Sequence, residues 1–259
     1  MIEIQDLWKS YNGIQVIKGL SLRIPPKQTT VILGRSGVGK SVLLRQILGL
    51  ETPDQGNIII KEKPLHTLSY KERHQQLSTM GMLFQSSALF DSMSIEENIA
   101  FPLIYHRPSK IPKDEIPQAI DEALTKVDLE GFQKKFPSEL SGGQKRRAAL
   151  ARLIVYKPEI LLFDEPTTGL DPLTASQIAD LIVETQKNLE STVIVVTHDI
   201  VSALRIGHYF AFHDDGVIRI SGEKEQFFSS HDPHLHSFLS SALLAPHDIQ
   251  CIHQEGAFS

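Results

Sequence analysis

Thr29-Thr30-Val31-Ile32-Leu33 runs without a break into Gly34-Arg35-Ser36-Gly37-Val38-Gly39-Lys40-Ser41. The first five residues read as a strand buried on both faces. The next eight fit G-x-x-x-x-G-K-[ST], and VLLRQILGL (42–50) continues with helical spacing to a stop at Gly49. A glycine loop between a strand and a helix is the context in which this motif cradles phosphate. Glycines let successive backbone N–H groups curl around phosphate oxygens, and the helix start adds partial positive charge. Lys40 is expected to reach β- and γ-phosphates, and Ser41 to hold Mg²⁺.

A second apolar run, ILLF (160–163), ends in Asp164-Glu165. A buried strand that delivers two adjacent carboxylates to its tip suits Asp164 to Mg²⁺, through water, and Glu165 to activating a water as general base. An acidic strand end that merely caps the next helix has the same appearance; the phosphate loop tips the balance. His198 follows a third apolar run at 193–197 and is placed to hydrogen-bond a γ-phosphate. A single histidine at a strand end has no such meaning alone.

The rest of the chain alternates. Ile2, Ile4 and Leu7, then Leu20, Leu22 and Ile24, predict two strands, the second stopped by Pro25-Pro26. Ile58–Ile60 predict another, and 69–78 a polar helix. From 86 to 157 helical spacing dominates (95–100, 116–127, and a basic helix over 144–156), with Pro108, Pro112 and Pro117 marking a loop. Strand patterns return at 160–163, 192–196, 209–213 and 217–221, around a helix at 173–188. Strands alternating with helices imply a mostly parallel α/β sheet, here with a helical insertion.

The chain has 259 residues, 41% hydrophobic and 22% charged, with a net charge of -5. These values exclude a disordered or collagen-like chain and count against a generic nucleic-acid binder. One cysteine, Cys251, excludes a disulfide-stapled scaffold and a Cys-based zinc site. No apolar run approaches the ~20 residues of a spanning helix, and MIEIQDLWKS at the start lacks the pattern of a signal peptide.

Leu140-Ser141-Gly142-Gly143-Gln144, lying between the phosphate loop and ILLFDE, resembles the signature of the nucleotide-binding subunit of ATP-binding cassette (ABC) transporters. The order of motifs extends over residues 1 to about 230. The resemblance implies a P-loop NTPase (RecA-like) α/β core, an antiparallel β subdomain and an α-helical insertion subdomain. It divides the chain into an ATPase domain at 1–230 (core 1–85 and 158–230, insertion about 86–157) and a C-terminal extension at 231–259. It implies ATP and Mg²⁺ as cofactors. Tyr11 matches the aromatic that stacks on adenine, Gly34 through Val42 line the phosphates, and Ser141, Gly142, Gly143 and Gln144 reach nucleotide held by a second copy. Ser41, Gln85 and Asp164 match the Mg²⁺ positions. Glu165, His198 and Lys40 match the catalytic set, and Thr168-Gly169-Leu170-Asp171 the loop that crosses between two copies. A bland reading stands beside each: an ordinary strand aromatic for Tyr11, and a polar turn capped by Ser141 for LSGGQ.

FQSSALFDSMSIEENIAFPL (84–103) is similar to the phrase FQ-x-GALFDSMTV-x-ENVAFPL of the ATPases of Mla-type lipid-trafficking transporters, which work with MCE-domain proteins. LSGGQKRRAALARL (140–153) and GLDPLT (169–174) agree with it. Gln144 stands where that subfamily often has Met, and Ser87 where it usually has Gly. The resemblance implies a dimer of ATPases at the cytoplasmic face of the inner membrane, two multi-spanning permeases, an MCE lipid-binding protein and, in some members, a STAS-domain regulator, with no nucleic acid. An ATPase serving an amino-acid or peptide importer is the alternative. A soluble ABC protein of DNA repair or translation fits less well, because the chain shows no second cassette, coiled-coil insertion or zinc module.

Three features are expected to be minor. HDPHLH (231–236) reads as a solvated loop and helix start, not a metal site. Lys145-Arg146-Arg147 reads as a solvated helix face or as support for phosphate between copies. Cys251 reads as a bystander in the tail. The stretch 231–259 is expected to aid dimerisation.

Overall fold

The structure, a computed structural model, describes residues 1–105 and 111–242. In chain order its strands are β1 (Ile2–Tyr11), β2 (Ile14–Ile24), β3 (Thr29–Leu33), β4 (Gln55–Ile60), β5 (Lys63–Pro64), β6 (Met80–Leu83), β7 (Ile160–Asp164), β8 (Thr192–Thr197), β9 (Tyr209–Asp214) and β10 (Val217–Glu223). The α-helices are α1 (Lys40–Ile47), α2 (Tyr70–Leu77), α3 (Ile95–Tyr105), α4 (Ile116–Thr125), α5 (Gly142–Ile154), α6 (Pro172–Leu189), α7 (Ile200–Ile206), α8 (Lys224–Phe228) and α9 (Pro233–Ala242). The chain forms two compact units. One joins Met1–His66 to the chain from Val196 onward; the other is Thr67–Val195.

The first unit contains an antiparallel sheet in the order β2-β1-β4-β5. Ile2 and Ile4 point inward with period 2, yet Leu7, of opposite parity, is also fully buried. A bulge resolves the conflict: the β1 register shifts between Ile4 and Leu7, and Asp6 there has φ +46°. One extra residue turns the following side chain back to the core. The same unit holds the order β10-β9-β3. β3 runs parallel to β9, pairing Thr30 with Tyr209 through Leu33 with Phe212. Every residue of β3 is buried, as its unbroken β-branched run requires. α9 packs Phe238 on Phe212, ring centroids 5.3 Å apart, and buries Leu235 and Leu239.

The second unit holds the parallel pair β6–β7, with Met80 opposite Ile160 and Leu83 opposite Phe163. Its helical part includes α3, α4 and α5, which pack together. Ala148, Ala149 and Ala151 are all buried in α5, where small side chains permit close helix approach.

Several expectations change. β6 was not expected, because Met80-Gly81-Met82 lacks β-branching; Gly81 sits in a strand because a Cβ there would run into Leu153 and Tyr156 of the α5 region. Pro117 is not in a loop but in the first turn of α4, where a missing N–H costs nothing. Pro108 and Cys251 lie outside the described residues. HDPHLH is a helix start: Asp232 Oδ1 accepts from the N–H groups of His234 and Leu235, each at 2.9 Å, while His231, His234 and His236 are exposed. The basic run is not a solvated face. Arg146 is 5% exposed, and Arg147 is tied to Asp128 at 2.6 Å and to Gln177 at 2.8 Å. Long stems bury readily when their heads find polar partners.

Candidate functional site

The first unit carries Tyr11, the loop 34–42 and His198. β3 delivers Gly34, where a Cβ would strike the carbonyl of His213. Gly39 has φ +108°, and a Cβ there would stand 2.8 Å from Val16 Cγ1. Both positions require glycine, so the loop backbone is stripped of side chains where it meets α1. Gly39 is the N-cap of α1 and supplies no side-chain cap. Arg35, Ser36 and Gly37 are exposed, and Val38, Ser41 and Val42 half-buried. Lys40 is 5% exposed, and its ammonium donates to the carbonyls of Gly34 at 2.8 Å and Arg35 at 3.0 Å. A buried cation beside glycine-loop amides is an anion site.

Beneath this loop lies a residue that the pattern at 209–213 marks only as part of a strand. His213 is fully buried at the end of β9, and neither ring nitrogen has a hydrogen-bond partner. Burial, reinforced by the Lys40 charge and opposed by Asp214, pushes its pKa down to about 4. It is a neutral imidazole packed against the phosphate loop.

Tyr11 stands at the tip of β1 with its ring 37% exposed, its hydroxyl bonded to Glu51. His198 is exposed directly after β8, and the next residue, Asp199, caps α7 through the N–H groups of Val201 and Ser202.

The second unit carries Gln85, residues 141–144, Asp164 and Glu165. Asp164 and Glu165 end the fully buried β7 and are each 8% exposed. Glu165 has φ +48°, the left-handed region that non-glycine residues seldom occupy. Its Oε2 accepts from Thr168 Oγ1 at 3.0 Å. Strain of that kind persists where neighbours fix it, often at functional residues. Asp171, beyond it, caps α6: its carboxylate accepts from Thr174 N at 3.0 Å and Thr174 Oγ1 at 2.6 Å, and these bonds hold its pKa down.

Ser141 and Gln144 form a reciprocal capping box. Ser141 Oγ accepts from Gln144 N at 3.3 Å, and Gln144 Oε1 accepts from Ser141 N at 3.0 Å. The bland reading of Ser141 as a cap therefore holds, and α5 starts at Gly142 rather than 144. A Cβ on Gly143 would come within 2.5 Å of Thr174 Cγ2, so the start of α5 lies against the first turn of α6.

Gln85 is exposed on a turn gripped from α5. Arg146 Nη1 donates to Phe84 O at 2.8 Å, and Arg152 Nη2 to Ser87 O at 3.2 Å. Ser87 has φ +63°, which explains why glycine suits this position. The sequence carries no sign that either arginine holds the carbonyls flanking Gln85, since only tertiary packing brings 146 and 152 to 84 and 87.

In the first unit Ser41 offers a hydroxyl; in the second, Gln85 offers an amide oxygen and Asp164 a carboxylate. No group of three or more His, Cys, Asp or Glu able to hold a metal occurs among the described residues. Each of Ser41, Gln85 and Asp164 is a hard oxygen donor of the kind Mg²⁺ takes, an ion that keeps waters and is held largely by substrate phosphates.

Residues 17–168 match the ABC transporter family. The chain is 37% identical over 249 residues to the probable ribonucleotide transport ATP-binding protein mkl of Mycobacterium tuberculosis, covering 95% of this chain and 68% of that one. It is 38% identical over 239 residues to the intermembrane phospholipid transport system ATP-binding protein MlaF of Haemophilus influenzae, covering 92% and 90%. The dimeric post-hydrolysis structure of the ATP-binding cassette MJ0796, bound to ADP and Pi, aligns with TM-score 0.78 at 30% identity over 86% of this chain and 98% of that one. With its phosphate loop, signature helix and paired strand-end carboxylates, the chain belongs to the ABC transporter family as an ATP-binding cassette ATPase.

Proposed function

We propose that this chain powers a membrane transporter that moves phospholipid or a related lipid across the cell envelope. The observation that carries the lipid reading is the 38% identity to MlaF over nine-tenths of that protein's length, together with FQSSALFDSMSIEENIAFPL around Gln85. The similar identity to mkl favours a second reading, a permease for another solute.

The reaction is ATP + H₂O → ADP + phosphate. Amides of the 34–41 loop and Lys40 bind β- and γ-phosphate oxygens, with Tyr11 against the adenine. Ser41, Gln85 and Asp164 would hold Mg²⁺, which neutralises phosphate charge when bound. Glu165 takes the proton of the attacking water, and His198 hydrogen-bonds the γ-phosphate. Ser141–Gln144 of a second copy complete each site, so closure depends on ATP; dimeric cassettes of this fold support that arrangement. Positioning and charge neutralisation supply most of the acceleration.

No helix among the described residues is long and apolar enough to cross a membrane. The proposed partners, from the likeness to Mla-type ATPases, are a multi-spanning permease, an MCE-domain protein and, in some assemblies, a STAS-domain regulator, with the ATPase peripheral on the cytoplasmic face. The extension 231–259 is proposed to aid dimerisation; truncation after Ser230 with unchanged ATP-dependent dimer assembly would remove that role.

The test is a gentle-detergent pull-down of tagged Glu165→Gln protein from native membranes, with partners identified by mass spectrometry. A permease with an MCE protein supports lipid traffic. A permease with another solute-binding protein overturns the cargo, and ribosomes or nucleic acid alone overturn transport.

A further inference from the structure

The tip of β1 and the loop that follows α1 are bound together by an unusually dense set of polar contacts. Lys9 Nζ donates to Thr52 O at 2.8 Å and to Asp54 Oδ1 at 3.0 Å. Ser10 N donates to Asp54 Oδ2 at 2.7 Å, and Asp54 N to Trp8 O at 2.8 Å. Within that frame, Glu51 uses its two carboxylate oxygens for two different elements. Oε1 accepts from Arg45 Nε at 2.6 Å, and Oε2 accepts from the Tyr11 hydroxyl. The N–H groups of Leu50 and Glu51 return to the Arg45 carbonyl at 2.9 and 3.3 Å, so the carboxylate cannot drift from the end of α1. The Lys9 ammonium also lies 5.6 Å from the Tyr11 ring centroid.

The electrostatics agree with this geometry. Burial works against ionised Glu51, but the Tyr11 hydroxyl and the Arg45 guanidinium outweigh it and hold the carboxyl below its usual range. Partial burial and the bond to Glu51 raise Tyr11. Tyr11 is thus a donor to an ionised acceptor, a charge-assisted bond that fixes where the ring lies.

α1 gives the arrangement its meaning. Its first residues, Lys40 and Ser41, belong to the phosphate loop, and Arg45 is in its last turn. Eight helical residues span about 12 Å at ~1.5 Å each. The chain Lys40–α1–Arg45–Glu51–Tyr11 therefore sets an aromatic ring at a fixed distance from the phosphate-binding amides, through one rigid element. We propose that Glu51 is a positioning residue for the adenine base: held by Arg45 on the phosphate-loop helix, it holds Tyr11 and so registers base against phosphate. The proposal rests on the reading of Tyr11 as the aromatic that stacks on adenine.

An exposed ion pair contributes little to stability, so the register is separable from folding. The test compares ATP with inorganic tripolyphosphate, which shares the phosphate site but has no base, by isothermal titration on the full chain. Glu51→Gln, which keeps shape, and Glu51→Ala are each expected to weaken ATP binding roughly three- to tenfold, the scale of re-ordering one side chain. Tripolyphosphate binding and Tm are expected to stay constant. Tyr11→Phe, lacking the hydroxyl, should reproduce the loss, and Tyr11→Phe with Glu51→Ala should lose no more than either alone. Equal weakening of both ligands, or additive losses, would overturn the proposal. If Tyr11→Ala weakens ATP binding but neither Glu51 variant does, Glu51 positioning fails and the Tyr11 reading survives. If Tyr11→Ala has no effect on ATP, both fail.

Discussion

Arg146 Nη1 lies 2.8 Å from the carbonyl oxygen of Phe84, so the helix that begins at the signature loop holds the residue next to Gln85. The guanidinium is buried, burial lowers its pKa, and its partner is a carbonyl dipole, not a carboxylate. Arg146→Lys keeps a charge but loses the planar fork. A small displacement of Gln85 is expected to cut kcat roughly ten- to hundredfold, with ATP affinity unchanged. Arg146→Met removes this charge-assisted bond and leaves Phe84 O only the Ser87 N–H, which should also cost about 1.5–3 kcal/mol of stability. Steady-state ATPase assays and urea unfolding check both; an unchanged kcat in each variant would separate α5 from Gln85.

His213 predicts a stability slope in acid. Its folded pKa of about 4 lies below the ordinary value of 6.5, so between these the unfolded chain binds more protons. Its contribution is complete above pH 6.5 and is lost as pH falls toward 4, a change of about 3 kcal/mol. His213→Leu removes both the titration and two unpaired buried nitrogens. Thermal unfolding from pH 4 to 7 should show the variant more stable than the parent, with the gap widening as pH falls. A constant gap would mean that His213 does not titrate there.

Glu165 sits at φ +48° with Thr168 on its carboxylate. Glu165→Gln keeps its shape but removes the base, and turnover should fall by about 10²–10⁴-fold with ATP still bound and the dimer closed. Lys40→Ala should instead weaken nucleotide binding. Single-turnover hydrolysis and nucleotide titration separate the two; normal turnover in Glu165→Gln would remove Glu165 from the chemistry.

Gly39 leaves no room for a side chain. Gly39→Ala places a Cβ 2.8 Å from Val16 Cγ1 at φ +108°, a backbone cost of about 1–3 kcal/mol. Nucleotide binding should fall sharply while β1 and β2 stay folded, as amide exchange on those strands would show.

Much of this protein is legible along the chain because its signals are local. A strand buried on both faces shows an unbroken run without charges instead of alternation, which marks 29–33 and 160–163. A phosphate loop needs glycine at fixed positions and a lysine at the helix start, which marks 34–41. Ser141 and Gln144 are three residues apart because a helix start needs that spacing. β6 escaped, because Gly81 in mid-strand answers to Leu153 and Tyr156, seventy residues away. The basic run at 145–147 was misread because charge alone does not say where a side chain finds partners.

By itself the sequence determined where the glycine loop opens a helix, which carboxylates end a strand and that a helix starts at the signature, since each follows from backbone conformation and near neighbours. Only the tertiary structure decided what holds them. Arg146 on Phe84, His213 under Gly34 and Glu51 between Arg45 and Tyr11 join residues whose separation along the chain carries no periodic signal. Such contacts are selected by burial and hydrogen-bond satisfaction, which become defined only when the elements have packed.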